Sequence, residues 1–293
     1  MARIREVGSR GKLSVEFNSV PEVFRIIDKL GWVPQNSKSS DERGHGDGFN
    51  TFGSLNEAKD VFLNHPEKIR QFSVNDDKLQ RIESPGKDVW YDVTGDYLDI
   101  DKFLEGEPES FGNSVMGNPK SIFCTINVLD SMVWNTHKDY AIAKQKRILR
   151  LVDWLETQDI RCQIVLSSDS SVMDSSIIVK EFQDPFDLNH LAVALHPDFF
   201  RRILFLIMEQ SKTWSYGYGS GMEYDERMKQ YKPNPEDGLY VYVGGYIPFN
   251  GDNHGIDKLE KAFDKIEKNI ATMIDEGRTF CEEPLVIKGG KDW

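Results

Sequence analysis

The chain lacks the features of a membrane or exported protein. It contains no apolar run of about 18 residues or more, the length needed to cross a bilayer. Its most apolar segment, Ile203–Met208, is closed off by charged residues on both sides. The N-terminus reads Met-Ala-Arg-Ile-Arg and has no apolar signal core, which argues against secretion. We therefore expect a soluble intracellular protein with no membrane partner.

Cysteine is scarce, and the common catalytic motifs are missing. Cys124, Cys162 and Cys281 lie far apart in the sequence, and no pair has the spacing of a zinc site. Cys124 and Cys162 fall in apolar runs and are predicted to be reduced core thiols. The chain has no phosphate-binding loop, H-E-x-x-H or G-x-S-x-G motif, and its histidines are scattered. We expect no catalytic residue, no metal or other cofactor, and no enzymatic activity.

Positive charge is in short supply, and its distribution is uneven. The net charge is −12, and a uniformly acidic surface repels nucleic acid. However, eight acidic residues lie within 88–109 against the single Lys102, whereas residues 1–12 are mainly basic. This asymmetry would allow an acidic protein to keep a basic binding surface.

Hydrophobic periodicity predicts alternating strands and helices. Helices are predicted over Pro21–Leu30, Leu55–Asn64, Lys138–Thr157, Asp187–Leu195, Asp198–Gln210 and Ile256–Glu276. Strands are predicted over Asp88–Val93, Ser121–Leu129, Arg161–Leu166, Ser176–Phe182, Leu239–Tyr246 and Leu285–Ile287. The pattern predicts an α/β (or α+β) fold, in which helices pack on the faces of a mixed β-sheet. The long helix between two buried strands predicts a parallel βαβ unit, followed by a hairpin.

Two regions are predicted. Residues 1–50 comprise a basic arm, a helix and a flexible loop that is rich in glycine and polar residues. Residues 51–293 form a single α/β domain.

The segment Lys212–Lys232 combines aromatic, basic and glycine residues in KTWSYGYGSGMEYDERMKQYK. Unpaired bases stack on aromatic side chains, while lysine and arginine bind phosphates. A surface loop whose aromatic residues pack back on the domain is the competing interpretation. The candidate nucleic-acid contacts are Lys212, Trp214, Tyr216, Tyr218, Arg227, Lys229 and Lys232 in this segment, Arg201 and Arg202 before it, Lys146 and Arg150 on the 138–157 helix, and Arg3 and Arg5 in the arm.

Three further patterns have structural as well as functional interpretations. Lys144, Lys146, Arg147 and Arg150 could follow a phosphate backbone or form the solvated face of a helix. The aspartates of DVTGDYLDID could bind a divalent metal or end a strand and cap a helix. The SSDSS sequence at 167–171 is interpreted as a polar turn after a strand.

Two sequence blocks carry a family resemblance. DVTGDYLDIDKFLEGEPESFGN (Asp92–Asn113) and DPFDLNHLAVALHPDFFRRILFLIMEQ (Asp184–Gln210), followed by SYGYG, resemble in this order a bacteriophage family carried as a domain of unknown function. The resemblance covers most of residues 50–220. It is associated with the single-stranded-DNA-binding cofactor of a phage-encoded RNA polymerase, in podoviruses that carry a virion polymerase.

The resemblance implies a fold other than the OB-fold and a role in transcription in the host cytoplasm. Its implied partners are single-stranded DNA and phage RNA polymerase subunits, and the chain is also compatible with a homo-oligomer. Two alternatives stay open: an interaction factor that docks on a phage or host partner without binding DNA, and, ranked last, a metal-dependent enzyme that uses Asp92, Asp96 and Asp169.

Overall fold

The computed structural model describes residues 3–7, 12–29, 55–73, 89–92, 97–98, 111–114, 122–130, 138–169, 173–184, 188–196, 199–204, 238–244, 254–281 and 283–287. The strands are β1 (Arg3–Val7), β2 (Lys12–Phe17), β3 (Val89–Asp92), β4 (Tyr97–Leu98), β5 (Phe111–Ser114), β6 (Phe123–Leu129), β7 (Arg161–Asp169), β8 (Met173–Lys180), β9 (Leu239–Val243) and β10 (Leu285–Ile287). The helices are α1 (Val20–Lys29), α2 (Leu55–Asn64), α3 (Pro66–Ser73), α4 (Lys138–Thr157), α5 (Leu188–Ala194), a π-helix (Phe199–Leu204) and α6 (His254–Asp275).

Seven strands form a mixed sheet in the order β1-β2-β8-β7-β6-β9-β10. Strands β7, β6, β9 and β10 are mutually parallel, whereas β8 runs antiparallel to β7. The predicted mixed α/β fold is confirmed, and it differs from the antiparallel barrel of an OB-fold. A separate three-stranded antiparallel sheet has the order β3-β5-β4.

The core lies against one face of the large sheet. Along β6, Cys124, Ile126 and Val128 are buried while the residues between them are partly exposed, the period of two that a strand imposes. The strand registers align the buried residues of neighbouring strands, since Ile126 pairs with Ile164 of β7 and with Val241 of β9. These residues share one hydrophobic cluster with the buried residues of the helices.

Helices α4 and α6 lie side by side on that face. The side chain of Arg147 in α4 contacts three carboxylates of α6 and stacks over Phe263. The β6-α4-β7 and β9-α6-β10 connections step in opposite directions across the sheet.

The N-terminal region is part of the sheet, which corrects the expected arm. Residues 3–7 form β1, paired antiparallel with β2, and β2 runs parallel to β8. The alternation of Leu13, Val15 and Phe17 accounts for β2, whose Val15 and Phe17 are buried. Ring contacts join Phe24 of α1 to Phe62 and Phe199. The described residues before and after residue 50 therefore share one core.

The three cysteines, distant in sequence, converge inside the fold. Cys124 and Cys162 are register partners on β6 and β7, and both are fully buried. The amide of Tyr240 lies 3.1 Å from Sγ of Cys281 and donates to it. A hydrogen bond with Cys162, added to burial, raises the pKa of Cys124. All three are free thiols, so the prediction of reduced core thiols for Cys124 and Cys162 is confirmed.

None of the helices in the described part of the chain has the length and apolar character that a bilayer crossing requires.

Candidate functional site

Polar side chains collect at the edge where β6 and β7 end. Asp130 follows β6 directly, and its amide donates a 2.8 Å hydrogen bond to the carbonyl of Ser167. This bond continues the parallel ladder beyond the Leu129–Ser167 pair, so Asp130 lies opposite Ser168. Ser168 in turn pairs with Ser175 of β8. Asp130, Ser168 and Ser175 therefore form one row across three strands, called here the edge row.

The edge row faces the core. Its members continue the buried face of their strands, since Ser168 lies two residues after Leu166 and Ser175 two residues before Ile177. Asp130, Ser168 and Ser175 are only 1%, 2% and 5% exposed. Ser167 and Ser168 thus belong to strand β7, which corrects the interpretation of 167–171 as a turn; residues 170–171 lie outside the described residues.

Within the described part of the chain, each member of the edge row carries a buried oxygen without a hydrogen-bond partner. These atoms are Oδ2 of Asp130, Oγ of Ser168 and Oγ of Ser175. An unsatisfied buried polar group costs about 1–3 kcal/mol, and such groups are uncommon in native proteins. Three in one row make the edge row the candidate functional site of the described residues.

Lys144 of α4 lies beside the row and is almost completely buried. Its Nζ donates to the carbonyls of Leu129 at 2.8 Å and of Gly244 at 2.7 Å, which joins the ends of β6 and β9. Burial lowers the pKa of Lys144 to about 7, although nearby Asp130 opposes the shift. Burial also raises the pKa of Asp130, and Lys144 acts against that shift.

On the opposite face of the same edge, the side chain of Ser167 has a hydrogen-bond partner. The hydroxyl of Ser167 lies 2.9 Å from Oδ1 of Asn127 and donates to it. Ser176 pairs with Ser167 across the β7–β8 ladder, and its side chain is partly exposed.

Only part of the basic cluster on α4 remains available to solvent. Lys144 and Arg147 are buried, so these two residues fit neither the phosphate track nor the solvated helix face. Arg147 binds Asp264 at 2.7 Å and Glu267 at 3.2 Å, with Glu260 at ionic distance. Burial raises the pKa of Glu267, although nearby Arg147 and Arg150 oppose the shift. Lys146 is partly buried, and Arg150 is exposed.

The other predicted contacts fall on described backbone or outside the described residues. Arg201 and Arg202 lie in the π-helix, whose Phe199, Ile203 and Leu204 are buried. Arg3 and Arg5 lie on β1. The contacts outside the described residues are Lys212, Trp214, Tyr216, Tyr218, Arg227, Lys229 and Lys232. So are the 35–50 loop and most of the acidic 88–109 block, apart from β3 and β4.

The sequence reasoning did not select the edge row. The sequence does carry one indication of the row, because polar residues follow two apolar runs directly: Asp130 after the run of β6, and Ser167–Ser168 after the apolar part of β7. The ends of such strands form the edge where α/β proteins commonly bind ligands. Among the described residues, no group of three or more histidine, cysteine, aspartate or glutamate side chains could hold a metal ion. The edge row differs from such a group because it contains one carboxylate and two hydroxyls.

Comparison with known proteins places the chain in a family. No curated protein and no solved structure matches it. The family model described as "Domain of unknown function (DUF7192)" matches residues 5–266, which is most of the chain. The chain therefore belongs to the DUF7192 family of domains of unknown function.

Proposed function

We propose that this protein binds single-stranded DNA and acts in transcription as a cofactor of a phage-encoded RNA polymerase, in the cytoplasm of the host. The proposal joins the composition of Lys212–Lys232 to the resemblance described above. Its proposed partners are single-stranded DNA and the polymerase subunits, with self-association as a further expectation. The protein would act without catalysis of its own.

One structural observation supports the proposal most directly. Arg201 and Arg202 are adjacent in a π-helix, a rare backbone form that often occurs at functional sites. The helix is held in the core, where Phe199 makes edge contacts with Phe24 and Phe62. Two arginines thus occupy a fixed backbone just before the segment that carries Trp214 and Tyr218.

The basic and aromatic residues would have separate roles. Arg201, Arg202 and the lysines of the segment would bind phosphates, so affinity would fall steeply as salt rises. The aromatic side chains would stack on bases, which contributes about 1–3 kcal/mol per base and tolerates any sequence. Arg150 is exposed on α4 and could add a phosphate contact, whereas the burial of Lys144 and Arg147 removes them from this set.

Fluorescence anisotropy with a labelled single-stranded oligonucleotide tests the proposal. We expect binding at 50 mM salt that weakens at 200 mM, with log affinity falling linearly with log salt. Trp214→Ala with Tyr218→Ala should weaken binding by at least about tenfold. Arg201→Ala with Arg202→Ala should reduce the salt slope by about 1.4, since two phosphate contacts are lost.

Matched controls come from α6, where Lys258 and Lys265 are exposed. Lys258→Ala with Lys265→Ala removes the same charge as the arginine pair and should leave the salt slope nearly unchanged. Absence of binding at 50 mM salt, or equal losses in the control and the arginine variant, would reject the DNA-binding proposal. A protein partner that is retained after nuclease treatment, without oligonucleotide binding, would support the interaction factor instead.

The polymerase role requires a separate assay. Transcription by the cognate phage polymerase from a promoter with an unpaired segment should rise when the protein is added. The Trp214 and Tyr218 double variant should lose that increase. DNA binding without any effect on transcription would retain the first part of the proposal and reject the second.

A further inference from the structure

We propose that the edge row binds a hard divalent cation, Mg²⁺ or Mn²⁺, through the Asp130 carboxylate and the hydroxyls of Ser168 and Ser175. This site is independent of the proposed DNA contacts. It follows from the position of three buried side chains and from the atoms they leave without partners.

The register brings the three side chains together. The amide of Asp130 donates a hydrogen bond to the carbonyl of Ser167, which places Asp130 opposite Ser168. Ser168 in turn pairs with Ser175. Directly paired residues have Cα atoms about 4.5–5.5 Å apart and side chains on the same face. An ion above Ser168 could therefore be reached from the strand on each side.

The chemistry of the row selects the class of ligand. One carboxylate and two hydroxyls are hard oxygen ligands, which suit Mg²⁺ and Mn²⁺ rather than metals that prefer thiolate or imidazole. Mg²⁺ is usually held by one or two carboxylates and keeps several of its own waters. The three unpartnered oxygens are thus the number expected from a protein that supplies only half of an octahedral shell.

Lys144 limits the strength of this site without filling it. Its ammonium donates to the carbonyls of Leu129 and Gly244, while Oδ2 of Asp130 has no hydrogen-bond partner among the residues that the structure describes. The positive charge near Asp130 nevertheless opposes a second cation. We therefore expect a dissociation constant on the order of 1 mM, at the weak end of protein sites for divalent cations.

Titration of the full-length protein with Mn²⁺, followed by electron paramagnetic resonance, tests the site directly. One ion per chain should bind to the wild type at the edge row. In parallel, 10 mM Mg²⁺ should raise the melting temperature by about 3 °C above a sodium control of equal ionic strength. Waters alone in the row would give neither result.

Two variants and one control assign the ion to the row. Asp130→Asn should abolish the bound Mn²⁺, and Ser168→Ala with Ser175→Ala should weaken binding at least about tenfold. Ser176→Ala removes a hydroxyl one position along β8, on the opposite face, and should leave binding unchanged.

The serine double variant retains the charge of Asp130 and so decides the question even if Asp130→Asn fails to fold. Wild-type binding that is equally strong in the double variant would overturn the proposal and assign the ion to another part of the chain. Absence of bound Mn²⁺ and of the thermal shift would overturn it as well.

Discussion

Lys144 donates a 2.7 Å hydrogen bond to the carbonyl of Gly244, a residue one hundred positions further along the chain. Gly244 also uses its amide, which donates to the carbonyl of Ile287 at 2.7 Å. A buried lysine and a glycine thereby connect α4, β9 and β10 at the edge where Asp130 lies. Because this ammonium is buried beside a buried carboxylate, both the removal of Lys144 and a change in its protonation should alter the stability of the fold.

Lys144→Met should destabilise the protein by about 3–5 kcal/mol, because Asp130 loses its neighbouring cation and two carbonyls lose a donor. Adding Asp130→Leu should recover part of that loss, since no buried charge then remains. Urea unfolding of the two single variants and the double variant measures the coupling. Lys146→Met on the same helix is the control and should cost less than about 1 kcal/mol; equal losses at the two lysines would contradict the assignment.

Stability should depend on pH through Lys144. Its folded pKa of about 7 lies below the usual 10.5, so its contribution is present above pH 10.5 and is lost as pH falls toward 7. The free energy of unfolding of the wild type, relative to Lys144→Met, should therefore rise from pH 7 to pH 10, by at most about 1.4 kcal/mol per pH unit. Asp130, whose pKa is raised, has the opposite dependence: its contribution is present at low pH and lost as pH rises. A difference that stays flat over pH 7–10 would show that Lys144 is not perturbed.

Gly238→Ala should be far more damaging than Gly277→Ala. Both glycines have positive φ, 71° and 68°, so both variants incur about 1–2 kcal/mol of backbone strain. At Gly238 the added Cβ would also lie 2.2 Å from the carbonyl oxygen of Phe123, whereas nothing lies within 4 Å at Gly277. We expect the Gly238 variant to lose a further 1–3 kcal/mol, roughly the cost of overpacking a core. Urea unfolding measures the loss of stability in each variant, and equal losses would contradict this prediction.

Arg147→Met should destabilise the protein by about 2 kcal/mol, less than a fully buried pair because two of its three acidic partners are well exposed. The loss should shrink as salt concentration rises, because salt screens the exposed carboxylates of this cluster. Arg150→Met on the exposed part of α4 is the matched control, with an expected effect within about 0.5 kcal/mol. Thermal unfolding at low and at high salt checks both the size and the trend.

Much of the fold could be predicted from periodicity. Helices Leu55–Asn64 and Lys138–Thr157 have the predicted bounds, because apolar residues recur along each with the helical period. The short strand Leu285–Ile287 also has the predicted bounds. The parallel β6-α4-β7 unit and the β7–β8 hairpin are also confirmed. The short strands β4 and β5 were missed, since Phe111–Ser114 contains a glycine and an asparagine and lacks a strand's composition.

The errors at the site have a common physical cause. Single-sequence patterns show that Lys144 and Arg147 are charged, but not that α4 lies between the sheet and α6, where those charges are buried. The sequence of residues 1–12 likewise predicts an arm instead of a strand, because β1 depends on pairing with β2, and β2 on pairing with distant β8. Asp130, Ser168 and Ser175 come together only through strand registers, which composition does not encode.

The burial of all three cysteines has a practical consequence. Thiol-reactive dyes require an accessible thiolate, and burial raises the pKa values of Cys124 and Cys281 while all three sulfurs are hidden in the core. The three natural cysteines of the native protein should therefore not react with such dyes. Ser220→Cys, within the Lys212–Lys232 segment but outside the proposed contacts, could carry a fluorophore without prior removal of the natural cysteines, and the fluorescence could then be followed as an oligonucleotide is added.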